Sequence, residues 1–330
     1  MVPDTSAART WIRQQVQRLR PKPGPGEPAP QLPKPRIAVV TDSAAGLPAE
    51  WVGWFAESLQ LTVVPMPVII GEHVYSDDDA ELETHISLAL ASGTSVKTSR
   101  PSPGQFDRAY RNAAEAGFEA VVSIHISTKL SGTFDAAHLA AQRAALPVHV
   151  LDSGTVGMGQ GIGVQAAVAA ALAGADAEVV MAAARAAIAA TDVYFYVPSL
   201  EQLRRGGRIS MASSWLGTVL DIKPILGIRD GSVVPLEKVR SAAKAVARLQ
   251  ELAAANIAAR GAANTQISVH HFGNEDQART LDEALHLACP GLGSSTLTRL
   301  PAVLAAHAGL GVLVVVVADS LVPPQAGQEP

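Results

Sequence analysis

Cysteine occurs once, at Cys289, which excludes an intramolecular disulfide and fits a reducing compartment. Aromatic residues make up only 4% of the 330 residues, so any core must be built from Ala, Val, Leu and Ile. Neither sign of charge dominates. The formal net charge is −4 and the pI near 6.1, without the basic footprint that a general nucleic-acid binder needs. No apolar run reaches the roughly 20 residues of a membrane-spanning helix. The valine-rich run at 312–318 reads as a buried strand, and the Ala-rich stretch 162–190 is broken by Asp176, Glu178 and Arg185 into one or two helices. The N-terminus lacks the apolar region of a secretory signal, so a cytoplasmic protein is expected.

Familiar catalytic signatures are missing as well. There is no GxxxxGK[ST] phosphate loop, no GxGxxG after the first strand, no GxSxG elbow and no HExxH. Gly157, Gly159, Gly161 and Gly163 alternate, which suits a closely packed helix rather than a dinucleotide turn. His286 and Cys289 are two ligands short of a zinc site. Asp77-Asp78-Asp79 reads as a solvated turn or helix cap rather than a cation site. Neither a metal nor a cofactor is expected.

What is present is ample core material: 48% apolar and 17% charged residues exclude wholesale disorder. Residues 1–20 suit a short basic helix, and the proline-rich 21–35 an extended linker. This arm, 1–35, reads either as a transient membrane-surface or partner contact or as a dispensable tail, and 323–330 as a second tail. The body alternates strands and helices. Strands are expected at 37–40, 61–70 (edge-like or interrupted, given Pro65 and Pro67), 120–126, 148–151, 193–197, 220–228, 233–239, 266–271 and 312–318. Asp230-Gly231 marks a hairpin. The expected fold is α/β: a mostly parallel N-terminal domain at 36–165, and a second domain with a mixed sheet at 166–322.

Polar clusters follow the first-half strands directly, on the rim where open parallel sheets bind ligands. Two loops stand out: Lys97-Thr98-Ser99-Arg100-Pro101-Ser102, and Ser127-Thr128-Lys129-Leu130-Ser131-Gly132-Thr133. Each precedes a helix, whose free N–H groups and neighbouring hydroxyls suit a carboxylate or phosphate. Either loop alone reads as an ordinary cap; together they point to an anion.

The chain resembles the DegV family of bacterial fatty-acid-binding proteins. The resemblance rests on Thr41-Asp42-Ser43, Thr98-Ser99-x-Pro101-Ser102, Leu130-Ser131-Gly132-Thr133 and Leu151-Asp152-Ser153 in the first half. In the second half it rests on Leu200-Glu201-x-Leu203-Arg204-x-Gly206-Gly207-Arg208, Ile222-Lys223-Pro224 and Lys238-Val239-Arg240. Four positions depart from the family: Arg100 replaces a common Gln, Asp221 an Asn, and Ala308 and Leu310 stand for the Thr and Pro of the His307-Ala308-Gly309-Leu310-Gly311 element, so no role is carried onto His307.

The resemblance implies a lipid-binding carrier, not an enzyme. A long-chain fatty acid of the C16–C18 class would sit between the domains. Thr98, Ser99, Ser131, Gly132, Thr133 and His271 would hold its head, and the tail would fill an apolar pocket. It also implies a partner, an ATP-binding fatty acid kinase subunit that makes the acyl-phosphate. Arg204, Arg205, Arg208 and Arg240 suit either docking of that partner or a plain solvated turn. The head-group grip is expected to use uncharged donors. Two rival readings are a small-molecule phosphotransferase or hydrolase using the Ser131 loop, and a regulatory or interaction module.

Overall fold

The computed structural model describes residues 35–55, 57–76, 79, 81–209 and 222–321. The expected basic helix at 1–20, nearly all of the proline-rich arm, Asp77, Asp78, Asp221 and the tail at 323–330 lie outside the described residues.

The first-half strands form a four-stranded parallel sheet in the order β2 (Leu61–Val64), β1 (Ile37–Asp42), β6 (Ala120–His125) and β7 (Val148–Asp152). Both faces are covered, and the period-two alternation of β1 sorts the cover. Ala38 and Val40 pack with Phe106, Tyr110, Ala136 and Ala137 of helices α3 (Pro103–Glu115) and α4 (Thr133–Ala141). Ile37 and Val39 face Val164, Val168, Val180 and Ala184 of α5 (Met158–Leu172) and α6 (Ala177–Ala189). Asp176 caps α6 by accepting from the Val179 N–H at 2.9 Å, so the Ala-rich stretch is two helices. Helix α3 begins with Pro103, and Gln105 reaches back to accept from the Ser102 N–H at 2.9 Å.

The second half builds a six-stranded mixed sheet in the order β10-β9-β8-β13-β11-β12. Its strands are β8 (Thr191–Tyr196), β9 (Lys223–Arg229), β10 (Ser232–Val239), β11 (Thr265–His271), β12 (Ser295–Arg299) and β13 (Leu313–Asp319). Only the β11–β12 pair is parallel. Asp230 and Gly231 join β9 to β10 with φ of 48° and 77°, the doubly left-handed turn that Asp-Gly favours. Tyr194, Tyr196, Val315 and Val317 face helices α8 (Ala242–Arg260) and α9 (Glu275–Ala288). Val193, Phe195, Val314 and Val316 face the other way, into a core shared with first-half residues.

The expected strand at 61–70 is interrupted at Pro65 and Pro67. After β2 the chain leaves the parallel sheet and forms an antiparallel sheet of its own: β4 (His73–Tyr75), β3 (Val68–Ile70) and β5 (Val96–Thr98). Its inner residues Val68 and Val96, with Leu82, Ile86 and Ala89 of α2 (Leu82–Ser92), join the core of Phe195 and Val314. The sheet therefore carries Thr98, at the end of β5, towards the second half of the molecule.

Candidate functional site

Between the two large sheets lies a cavity with about 750 Å³ of empty volume, its open mouth included. Its walls are aliphatic and come from both halves. Met66, Ile126, Leu130 and Val156 face Val193, Phe195, Ile228, Val233, Val312 and Val314. Polar groups are few: Thr98, Ser131, Arg208, His270 and His307.

Thr98 and His307 are 209 residues apart in sequence, yet Thr98 Oγ1 and His307 Nε2 are hydrogen-bonded at 2.8 Å. His307 belongs to the short helix α10 (Ala302–Ala308), whose other face is core. Burial, with the Arg208 charge added, lowers His307 to about 4, so the ring is neutral at pH 7. Ser131 precedes α4, and its Oγ shares a hydrogen bond with Thr133 Oγ1 at 2.8 Å. The loop itself is braced. Thr128 Oγ1 donates to Asp152 at 2.6 Å, the Ser131 N–H donates to Ser127 O at 3.0 Å, and Ser127 Oγ donates to Gly231 O at 2.7 Å. The last of these ties the loop to the β9–β10 turn of the opposite sheet.

Of the residues singled out from sequence, Thr98 and Ser131 meet at this cavity and the other four do not line it. Ser99 is exposed and donates to Arg100 O at 3.2 Å. Gly132 underlies the Arg100 side chain: an added Cβ there would lie 2.9 Å from Arg100 Nη1. Thr133 is fully buried beside Ser131. His271 is on the opposite face of β11, because strand side chains alternate. Its neighbour His270 takes the cavity side, the face of Ser268 rather than of Val269. His270 Nε2 accepts from the Met158 N–H at 3.0 Å, so its proton is on Nδ1, which donates to Thr298 Oγ1 at 2.8 Å. Burial lowers His270 to about 4. The alternation of Ile267, Val269 and His271 against Ser268 and His270 was the available signal for His270, and the family-like His307-Ala308-Gly309-Leu310-Gly311 element, weakened by its lost Thr and Pro, was the signal for His307.

The four arginines separate too. Arg204, Arg205 and Arg240 are exposed, and Arg205 pairs with Glu201 at 2.5 Å. Arg208 lines the cavity, its Nε donating to Leu130 O at 3.2 Å and its Nη1 to Gly206 O. The mouth is thus not uncharged, as the loops alone suggested; it holds one guanidinium. A polar cleft with Lys97, Gln202 and Arg205 adjoins it and shares Thr98, Arg208 and His307.

A second hydroxyl–imidazole system was not visible in sequence. Tyr110 Oη and Ser123 Oγ are 2.9 Å apart, Ser123 Oγ and His125 Nε2 2.7 Å, and His125 Nδ1 and Asp42 Oδ2 2.9 Å. Asp42 also accepts from the Ile126 N–H at 3.0 Å and the Ala44 N–H at 3.1 Å. Asp42, Ser123 and His125 have no solvent exposure, and none lines the cavity. This Ser–His–Asp order pins the ends of β1 and β6 beneath the Ser127–Thr133 loop; it offers a substrate no nucleophile. Among the described residues the Ser131 hydroxyl meets no imidazole or carboxylate, only the Thr133 hydroxyl. Among the described residues, no group of three His, Cys, Asp or Glu could hold a metal, and no helix is long and apolar enough to cross a membrane.

The model of the DegV family of uncharacterised proteins matches residues 36–320. A DegV domain-containing protein of Streptomyces coelicolor is 42% identical over 284 residues, 86% of this chain and 98% of that protein. One from Mycobacterium tuberculosis is 34% identical over 87% of this chain and 99% of its own length. Among solved structures, a DegV family protein of Thermus thermophilus described as binding fatty acid superposes with a TM-score of 0.78 at 32% identity, covering 86% of this chain and all of that one. DegV of Bacillus subtilis, described as a fatty acid binding protein, gives 0.77 at 28% identity, covering 87% of this chain and all of that one. The chain belongs to the DegV family.

Proposed function

We propose that this protein binds a long-chain fatty acid, tail in the aliphatic cavity and carboxylate at the Thr98–Ser131 mouth. The observation that carries the reading is the cavity itself, aliphatic over most of its wall, with Thr98, Ser131, Arg208 and His307 as a polar set and the internally hydrogen-bonded His270 as the other polar group. The fatty-acid binding described for the relatives from Thermus thermophilus and Bacillus subtilis supports it.

Tail burial dominates the energetics. Each buried methylene contributes ~0.8 kcal/mol, so a C16 tail supplies on the order of 12 kcal/mol gross before ordering costs. Hydrogen bonds to the carboxylate add ~1.5–3 kcal/mol each and select an acid over an alcohol. Thr98 and Ser131 hydroxyls donate; Arg208 supplies charge while tethered to Leu130 O and Gly206 O. His307 orients the Thr98 hydroxyl. Within this reading His307 takes the place given to His271, and residues 36–165 supply the head-group loops while 166–322 supply most of the acyl wall.

The finer reading is a carrier rather than an enzyme: the bound acid is presented to a separate ATP-binding kinase subunit. The polar cleft of Lys97, Arg205 and Arg208 next to the mouth supports a phosphate-facing entrance. Native mass spectrometry of the purified chain tests the core claim: a co-purified C16–C18 fatty acid is expected. An empty protein that turns over ATP unaided would favour the phosphotransferase reading instead.

A further inference from the structure

The acyl cavity has a neighbour. A second cleft, with about 1420 Å³ of empty volume including open solvent, lies at the carboxyl ends of β1 and β2. It is lined by the apolar Ala45, Leu47, Val52, Val63, Leu82 and Leu300, with Asp42, Ser43 and Asp79 as its other polar side chains besides the rim. Its rim carries the Glu83–Arg299 ion pair at 2.8 Å.

Among the described residues, Leu300 alone lines both this cleft and the acyl cavity. It follows the last residue of β12, is 4% exposed, and is held by its N–H donating to His271 O at 2.8 Å. Beside it the partition is one contact thick. Gly46 of the cleft packs on His270 of the cavity so closely that an added Cβ would lie 2.9 Å from the ring. The head-group residues Thr98, Arg208 and His307 open instead to the separate polar cleft, so the Leu300 partition is not part of the mouth.

We propose that Leu300 sets the upper acyl-chain length, by walling the tail cavity off from an apolar cleft that would otherwise hold the end of a longer chain. The inference rests on the fatty-acid reading. A tail that reaches Leu300 must stop, fold back or displace it. A smaller side chain would join the two spaces and let the terminal methylenes lie on Leu47, Val52 and Val63.

The test uses the full chain with an equimolar mixture of saturated fatty acids from C14 to C22, read by native mass spectrometry. Leu300→Ala should raise the C22-to-C16 occupancy ratio about tenfold, the effect of roughly two newly buried methylenes. Leu300→Val should move it in the same direction by less, and serves if the alanine variant does not fold. Ala49 lines the cleft from its exposed side. Ala49→Trp in the Leu300→Ala background should fill the cleft and restore the wild-type ratio. An unchanged ratio in folded, acid-binding Leu300 variants overturns the inference, as does a gain that survives Ala49→Trp. Failure of the wild-type chain to take up any acid would instead remove the functional reading beneath it.

Discussion

Two hydroxyl–imidazole pairs lie in the first half of the molecule's reach, and they differ in what faces them. Ser123–His125 is sealed between Tyr110 and Asp42, with a protein partner on each side. Thr98–His307 borders an aliphatic void. The same chemistry therefore holds a sheet together in one place and leaves a hydroxyl beside an empty space in the other. Burial without a void makes a brace; burial beside a void leaves a hydroxyl placed to meet a ligand. Four measurements probe that contrast.

The largest effect belongs to the brace. Asp42→Ala strips an acceptor from His125 Nδ1, Ile126 N–H and Ala44 N–H at once. Each buried donor left unmet costs ~1–3 kcal/mol, so a loss on the order of 3–5 kcal/mol is expected in urea unfolding. A loss under ~1 kcal/mol would mean the network is wetter than its burial indicates.

Acid should act on both cavity histidines. The unfolded chain protonates them near the ordinary 6.5, whereas His270 and His307 are lowered to about 4 by burial. Between these values the unfolded state binds more protons. The stability they confer is whole above about pH 6.5, falls as pH drops towards about 4, and levels off below it, by about 3 kcal/mol per histidine at most. His307→Asn should flatten part of that slope, while a slope unchanged by it would place the acid sensitivity elsewhere.

The mouth should respond in binding more than in stability. Ser131→Ala and Thr98→Val each remove a donor worth ~1.5–3 kcal/mol to a carboxylate, so Kd for the acid should rise about ten- to a hundredfold in tryptophan-quenching or calorimetric titration. Equal affinity in both variants would remove these hydroxyls from the site.

Smallest of all, Arg240→Glu at an exposed position should leave stability within ~0.5 kcal/mol and fatty-acid affinity unchanged. If the cation docks the kinase, only the rate of acyl-phosphate formation with that partner falls; an unaltered rate assigns Arg240 to solvent.

Local pattern made much of the framework legible. Apolar runs at 37–40 and 120–126 announced the strands found at Ile37–Asp42 and Ala120–His125, and Asp230-Gly231 announced its hairpin. The small sheet did not show, because Val68–Ile70, His73–Tyr75 and Val96–Thr98 are three residues each, too short for a period. Strand β12 escaped too: Ser-Thr-Leu-Thr-Arg is an edge strand with only Leu297 to mark a face. At the site, Thr98 and Ser131 were readable because hydroxyl-rich turns before helices have a local reason to bind anions. His307 was only half readable: its element resembles a family counterpart that has lost Thr and Pro, and the Thr98 partner that gives it a role is 209 residues away. His270 was one alternation away from the residue chosen, and only the packing of Val269 against α8 and α9 fixes which of the pair looks inward.

The most direct measurement is the relative affinity of the chain for a C16 acid and the C16 alcohol of the same tail. Both present identical methylenes to the cavity, so any difference is the mouth's. The acid should bind at least about tenfold more tightly, the least that one charge-assisted hydrogen bond supplies, and the preference should fall about tenfold or more in the Thr98→Val, Ser131→Ala double variant, with Arg208 supplying what remains. Equal affinity for acid and alcohol in the wild-type protein, or a preference undiminished by both substitutions, would contradict a carboxylate held at Thr98 and Ser131.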